Sequence, residues 1–179
     1  MKLEKPILFK KIFNIFDDER GFLSTLDVKK LYQNLPDQNF DLTYQLISYS
    51  AKKNTFRGMH YQTAPFAQNK LIVLHSGSII DLAVDVNNAE IDQVLSFEMS
   101  AGDAILIPKN YAHGVSFFDK ENILLYHLSE YRYPEYERGI VYNDKNLKIN
   151  WRIKKPILSK RDSFLPSFKE TFLKKVKKR

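Results

Sequence analysis

Between residues 78 and 86 the side chains alternate so strictly that the chain has one structural choice. Ile80, Leu82, Val84 and Val86 fall on one side, and Ile79, Asp81, Ala83 and Asp85 on the other. That is the two-residue period of a β-strand with one fully apolar face. Residues 42–50, 55–62, 70–75, 93–99, 104–107, 114–118 and 123–129 also read as strands. Polar or glycine-bearing turns at 51–54, 76–77, 87–88, 101–103 and 119–122 separate them. Residues 6–16 also read as strand, up to the turn signal at 17–21. Short strands at intervals of about 8–12 residues predict an all-β sandwich or barrel and exclude an alternating βαβ fold. A few short helices are expected. One lies over 26–35, before Pro36, and an amphipathic one near the C-terminus uses Phe168, Phe172, Leu173 and Val176.

At 179 residues the chain suffices for one domain with its own core, and a single domain over 1–163 with a basic tail over 164–179 is expected. The net charge of +7 is mostly local, because Lys169 to Arg179 holds six basic residues and one acidic one. Basicity confined to a tail does not mark the domain as a nucleic-acid binder. Cysteine is absent, which excludes disulfides, thiolate metal sites and a cysteine nucleophile. No apolar run approaches the roughly 18 residues of a membrane span, and the N-terminus lacks the apolar core of a signal peptide. A cytoplasmic protein with neither membrane nor nucleic-acid partner is expected.

Arg57-Gly58-Met59-His60-Tyr61-Gln62, with Lys70 eight residues later, puts a guanidinium, an imidazole and an ammonium within reach of one hairpin. If this stretch is extended, Met59 and Tyr61 point one way, and Gly58, His60 and Gln62 the other. Charged groups are seldom buried unless paired or in use, so the cluster reads as the floor of an anion-binding cavity. Taken singly, Arg57 and Lys70 are also compatible with surface charges, and His60 with a structural histidine.

A second constellation spans Gly102, Pro108 and His113 with the spacing G-x5-P-x4-H. It is similar to the second characteristic motif of the cupin superfamily, a double-stranded jelly-roll barrel. Asn110 stands where cupins usually have glycine, and asparagine also tolerates positive φ. Many cupins bind metal through this histidine together with an H-x-H and a glutamate. Here the first motif offers only His60, and no glutamate follows before Glu90. A first-row metal normally needs about three such ligands, so no metal is expected.

Taken together, these blocks resemble the dTDP-4-dehydrorhamnose 3,5-epimerases, metal-independent cupins of nucleotide-sugar biosynthesis. The shared text includes Asp18-Glu19-Arg20-Gly21-Phe22, the Arg57–Gln62 block, Lys70-Leu71, Asp81-Leu82-Ala83-Val84-Asp85 and Ile107-Pro108 through His113-Gly114. It continues through Leu125-Tyr126, Glu137-Arg138-Gly139 and Leu158-Ser159-Lys160-Arg161-Asp162, in order over about four-fifths of the chain. The resemblance implies epimerisation at C3 and C5 of a nucleotide-linked 4-keto-6-deoxy sugar, without cofactor. His60 is then the base, Asp162 its partner, Lys70 the cation for the enolate and Tyr126 the acid on the opposite face. Arg20, Gln45, Arg57, His113, Glu137 and Arg161 match positions that hold the nucleotide sugar. A homodimer is the family expectation, with N-terminal strands joining the partner's sheet.

The chain departs from the family at two places. Thr25 replaces a glutamate four residues after Gly21, and Gln45-Leu46-Ile47 keeps only the glutamine of a more polar family triplet. These changes leave GDP-, CDP- and UDP-linked sugars open as substrates, and inversion at only one carbon. A non-catalytic nucleotide-sugar-binding cupin is the reading from another class.

Overall fold

The fold follows from strands that are apolar on both faces. The computed structural model describes residues 3–33, 35, 43–87, 94–147 and 149–171. One antiparallel sheet runs in the order β1 (Ile7–Phe9), β9 (Ala104–Ile107), β6 (Lys70–Ser76), β11 (Asn122–Leu128), β4 (Tyr44–Ser50). The other runs β12 (Glu137–Gly139), β5 (Phe56–Gln62), β10 (Tyr111–Phe117), β7 (Ser78–Asp85), β8 (Val94–Ser100). Between them Ile72, Leu74, Ile105 and Leu124 of the first sheet meet Ile79, Val115 and Phe117 of the second. A fully buried aliphatic side chain of this size contributes about 2 kcal/mol. The all-β two-sheet barrel expected from the strand pattern is the architecture observed.

Each sheet is covered on its outer side as well. Leu71, Val73 and Leu106 pack under Leu31 of the helix α1 (Val28–Gln33) and under Leu35. Phe56, Met59, Tyr61, Ile80 and Leu82 pack under Ile140, Leu147, Trp151 and Phe168. The C-terminal segment is therefore part of the packing past residue 163. Val141 N–H donates to the Pro166 carbonyl at 2.8 Å, and Phe168 N–H to Asp144 Oδ2 at 2.7 Å. Residues 168–171 form one helical turn of the expected C-terminal helix, whereas Phe172, Leu173, Val176 and the rest of the basic tail lie outside the described residues. Leu42, Gln93, Asn88 and Pro36, used above as strand, turn or helix markers, also lie outside them. Among the described residues no helix is long and apolar enough to cross a membrane.

The N-terminal region differs from its expected form. Residues 6–16 are not one strand but two, β1 and β2 (Phe13–Asp18), broken where Lys11 takes φ 51°. The buried Asp103 carboxylate fixes that break, accepting from Lys10 Nζ at 2.8 Å and Lys11 N–H at 3.0 Å. Beyond the turn, β3 (Gly21–Leu26), which the strand reading omitted, pairs back on β2. This hairpin joins neither sheet, and Ile15, Phe16, Phe22 and Leu23 on it are more than half exposed. A second difference is that β10 begins at Tyr111 instead of residue 114, which places His113 inside a strand. Asn110 adopts φ 77° at the turn before it.

The ladder between strands β5 and β10 is broken by a bulge between His113 and Val115. Gly58 lies there at φ +122°, and a Cβ on it would come 2.6 Å from Gly114 Cα and 2.7 Å from the His113 carbonyl oxygen. Backbone atoms offer no easy retreat. Gly58→Ala is accordingly expected to lower the unfolding free energy by about 3 kcal/mol. Urea unfolding checks this, and an unchanged midpoint would show that the bulge opens without cost.

Candidate active site

The alternation of β5 divides its side chains as the sequence implies. Met59 and Tyr61 enter the outer apolar cluster, while His60 lies on the other side of the strand and meets Asp162 across 102 residues of chain. The His60 Nε2 to Asp162 Oδ1 distance is 2.7 Å. Because a carboxylate only accepts, Nε2 carries the proton and Nδ1 is left as the basic nitrogen. Asp162 is buried at the start of a 3-10 turn (Asp162–Phe164), and its N–H donates to Ser159 Oγ at 3.0 Å. Burial alone would raise its carboxyl. Hydrogen bonds and charge from His60, with help from Ser159 and the Gly58 N–H, outweigh burial and hold it below the usual carboxylate range.

Across the β5–β10 ladder His60 stands opposite His113. His113 Nε2 donates to Asp81 Oδ2 at 2.7 Å, and both side chains are almost wholly buried. Among the described residues Asp81 Oδ1 has no hydrogen-bond partner. A charged residue between the apolar Ile80 and Leu82 of β7 was the one sequence signal for this second His–Asp pair, and the sequence analysis gave Asp81 no role.

The facing sheet supplies Lys70 and Tyr126. Lys70, 9% exposed, donates from Nζ to the His60 carbonyl at 3.0 Å. Burial lowers its pKa to about 8, against the opposing pull of Asp81 and Glu137. Tyr126 lies beside His113, ring centroids 6.1 Å apart. Burial first, and Asp81 next, push its hydroxyl well above the ordinary tyrosine value, while Arg57 pulls it back in part. Arg57 spans the two sheets, donating from Nε to Ser50 Oγ at 3.1 Å and from Nη2 to the Tyr49 carbonyl at 3.0 Å. At the rim, Arg161 Nη1 donates to Glu137 Oε2 at 2.7 Å, and Arg132 grips both oxygens of the same carboxylate at 3.0 and 2.9 Å. Burial would raise Glu137, but the two guanidiniums hold it low. Sequence reading missed Arg132, and nothing in its local sequence marks it.

Two expected binding residues are not brought here by their own chain. Arg20 sits at the tip of the β2–β3 hairpin, 86% exposed, paired with Asp18. Gln45 lies on the outer face of its sheet, 3.0 Å from His127 Nδ1, because its neighbour Leu46 takes the inner position opposite Tyr126. Ile47 again points outward and is 72% exposed. A surface concavity of about 460 Å³ around Tyr142, Asp144 and Trp151 is lined by none of these groups. Its one carboxylate, Asp144, is engaged with the backbone of Asn146, Leu147 and Phe168. Among the described residues no group of three or more His, Cys, Asp or Glu could hold a metal ion. The chemistry available between the sheets is thus a carboxylate-backed imidazole on one side, with an ammonium and a phenol on the other. That set suits proton removal and return at carbon beside a carbonyl.

Comparison with known proteins agrees with this chemistry. The family model of dTDP-4-dehydrorhamnose 3,5-epimerase matches residues 2–170. The chain is 32% identical over 161 residues to the dTDP-4-dehydrorhamnose 3,5-epimerase of Sinorhizobium fredii, covering 87% of this chain and 82% of that protein. It is similar to the solved structure of the dTDP-4-dehydrorhamnose 3,5-epimerase of Bacillus anthracis with TDP and PPi bound. There the identity is 34% and the TM-score 0.79, over 90% of this chain and 93% of that one. A dTDP-6-deoxy-D-glucose-3,5-epimerase of Legionella pneumophila, in complex with dTDP-4-keto-L-rhamnose, is 26% identical at a TM-score of 0.76, over 92% and 93% of the two chains.

The lowered pKa of Lys70 sets a pH limit. A reaction that relies on its ammonium slows as pH rises through about 8. Lys70→Arg keeps its charge and is expected to move that limb of kcat/KM upward. Stability has the opposite sign. The unfolded lysine titrates near 10.5, so between about 8 and 10.5 the unfolded chain holds the extra proton and stability rises with pH. A basic limb left in place by Lys70→Arg would assign it to another group.

Proposed function

The chain belongs to the dTDP-4-dehydrorhamnose 3,5-epimerase family, and from that premise we propose that it is a cytoplasmic isomerase inverting C3 and C5 of a dTDP-linked 4-keto-6-deoxy sugar. The observation that carries the reading is the His60–Asp162 pair set between the sheets with Lys70 and Tyr126. Carbons on either side of the C4 carbonyl bear acidified hydrogens. His60 Nδ1 takes the proton, and the C–H electron pair moves into the carbonyl to give an enolate. Asp162 stabilises the imidazolium that results, and the Lys70 ammonium stabilises the enolate oxygen. Tyr126 returns a proton to the other face of the carbon. Its raised pKa suits that role, since the phenol stays protonated until the enolate accepts from it. His113, with Asp81, and Arg57 are assigned to holding the sugar and its phosphates.

A homodimer belongs to the same proposal. The exposed apolar side chains of the β2–β3 hairpin, with Ile47 and Tyr49 on the outer face of edge strand β4, suit burial against a second copy. Arg20 and Gln45, which miss their own cavity, would then serve the partner's.

Incubation with dTDP-4-keto-6-deoxyglucose in D2O, followed by NMR, is expected to show deuterium entering at both C3 and C5. His60→Ala should slow that entry at least about 100-fold. Tyr126→Phe should keep exchange but lose net inversion, because the proton then returns only to the face it left. Full exchange in His60→Ala would remove His60 as the base, and exchange at one carbon would make the protein a mono-epimerase.

A further inference from the structure

Segment 130–133, between β11 and β12, is held in an unusual way. Two buried glutamine amides grip its backbone. Gln62 Nε2 donates to the Tyr131 carbonyl at 2.9 Å, and Gln62 Oε1 accepts from Tyr133 N–H at 2.8 Å. Gln68 Nε2 donates to the carbonyls of Glu130 and Tyr131 at 2.8 and 2.9 Å. Gln62 is two residues from His60 on the same strand face, so the strand bearing the base also fixes this arm at the rim.

The arm places Arg132 on Glu137, which Arg161 already holds. One carboxylate, 16% exposed, thus faces two guanidiniums that stay 53% and 43% exposed. A single guanidinium would neutralise Glu137. The second leaves the cluster with a net positive charge, and Lys70 lies close enough to feel the same carboxylate. Arg132 directs Nε and one terminal nitrogen to Glu137, and a guanidinium has five N–H donors in a fixed fork. Glu137 therefore aligns two arginines whose outer edges face solvent at the mouth.

We infer that Arg132 is a further substrate-binding residue, closing with Arg161 a two-arginine clamp on the diphosphate of the nucleotide sugar. Gln62 and Gln68 act as positioning residues for it. The inference rests on the nucleotide-sugar reading above, but its test does not need turnover. Calorimetric titration with dTDP and with inorganic pyrophosphate is expected to show about tenfold weaker binding in Arg132→Ala, the loss of one or two charge-assisted hydrogen bonds. Arg132→Lys should fall between, keeping the charge without the fork. KM for the 4-keto sugar nucleotide should rise by a similar factor, with kcat within about threefold.

Arg152→Ala, which removes the same charge far from the mouth, serves as the control and should bind both probes as the parent does. Thermal melting of each variant separates lost contact from lost fold. Parent-like binding in Arg132→Ala, equal weakening in Arg152→Ala, or a parent protein that binds neither probe would each overturn the clamp. A parent that binds both probes but catalyses no exchange would instead sink the epimerase reading and leave the clamp standing.

Discussion

Burial of the Lys70 ammonium is the constraint that the rest of the cavity answers. A lysine between two sheets loses its hydration, and the chain offsets that loss with one acceptor and two nearby carboxylates. The His60 carbonyl takes one of its hydrogens, while Asp81 and Glu137 oppose the drop in its pKa. Those carboxylates would themselves be costly without partners. Asp81 is tied to His113, and Glu137 to two arginines. One buried charge thus organises a network in which each carboxylate is tied to a cationic or imidazole partner. The same network gives the cavity its polarity on one side and its basic nitrogen on the other.

The site also depends on the far end of the chain. Asp162 reaches His60 only because the segment after β12 crosses the outer face of the second sheet, anchored by Trp151 and Phe168. Trp151 does so with its ring edge against Phe56 and its indole N–H on the Tyr142 carbonyl. Apolar packing outside the barrel therefore fixes a hydrogen bond inside it.

Much of this was legible in the sequence, for definable reasons. Period-two alternation in β7 and β5 predicted both the strands and the sides taken by Met59, His60 and Tyr61. Asn110 took the positive φ expected of it. The expected His60, Lys70, Tyr126, Asp162, Arg57, His113, Glu137 and Arg161 are linked to one another by hydrogen bonds, ring contact, strand pairing or charge. What the sequence did not disclose were long-range pairings. The break at Lys11 is imposed by Asp103, some ninety positions away. Strand β3 forms because Phe13–Asp18 offers it an edge, not because its own text is strongly periodic. Gln45 faces outward because the register of β4 on β11 gives the inner position to Leu46. Arg132 is set by amides of Gln62 and Gln68 that no local pattern connects to it.

The grip of those two glutamines has a consequence for how such a protein can diverge. They bind carbonyls and an N–H of the 130–133 arm and make no demand on the letters it carries. Residues there can be exchanged while the arm keeps its station and the neighbouring base keeps its alignment. Variation in what the mouth recognises is thereby decoupled from the reacting groups, and selection can rewrite the one without disturbing the other.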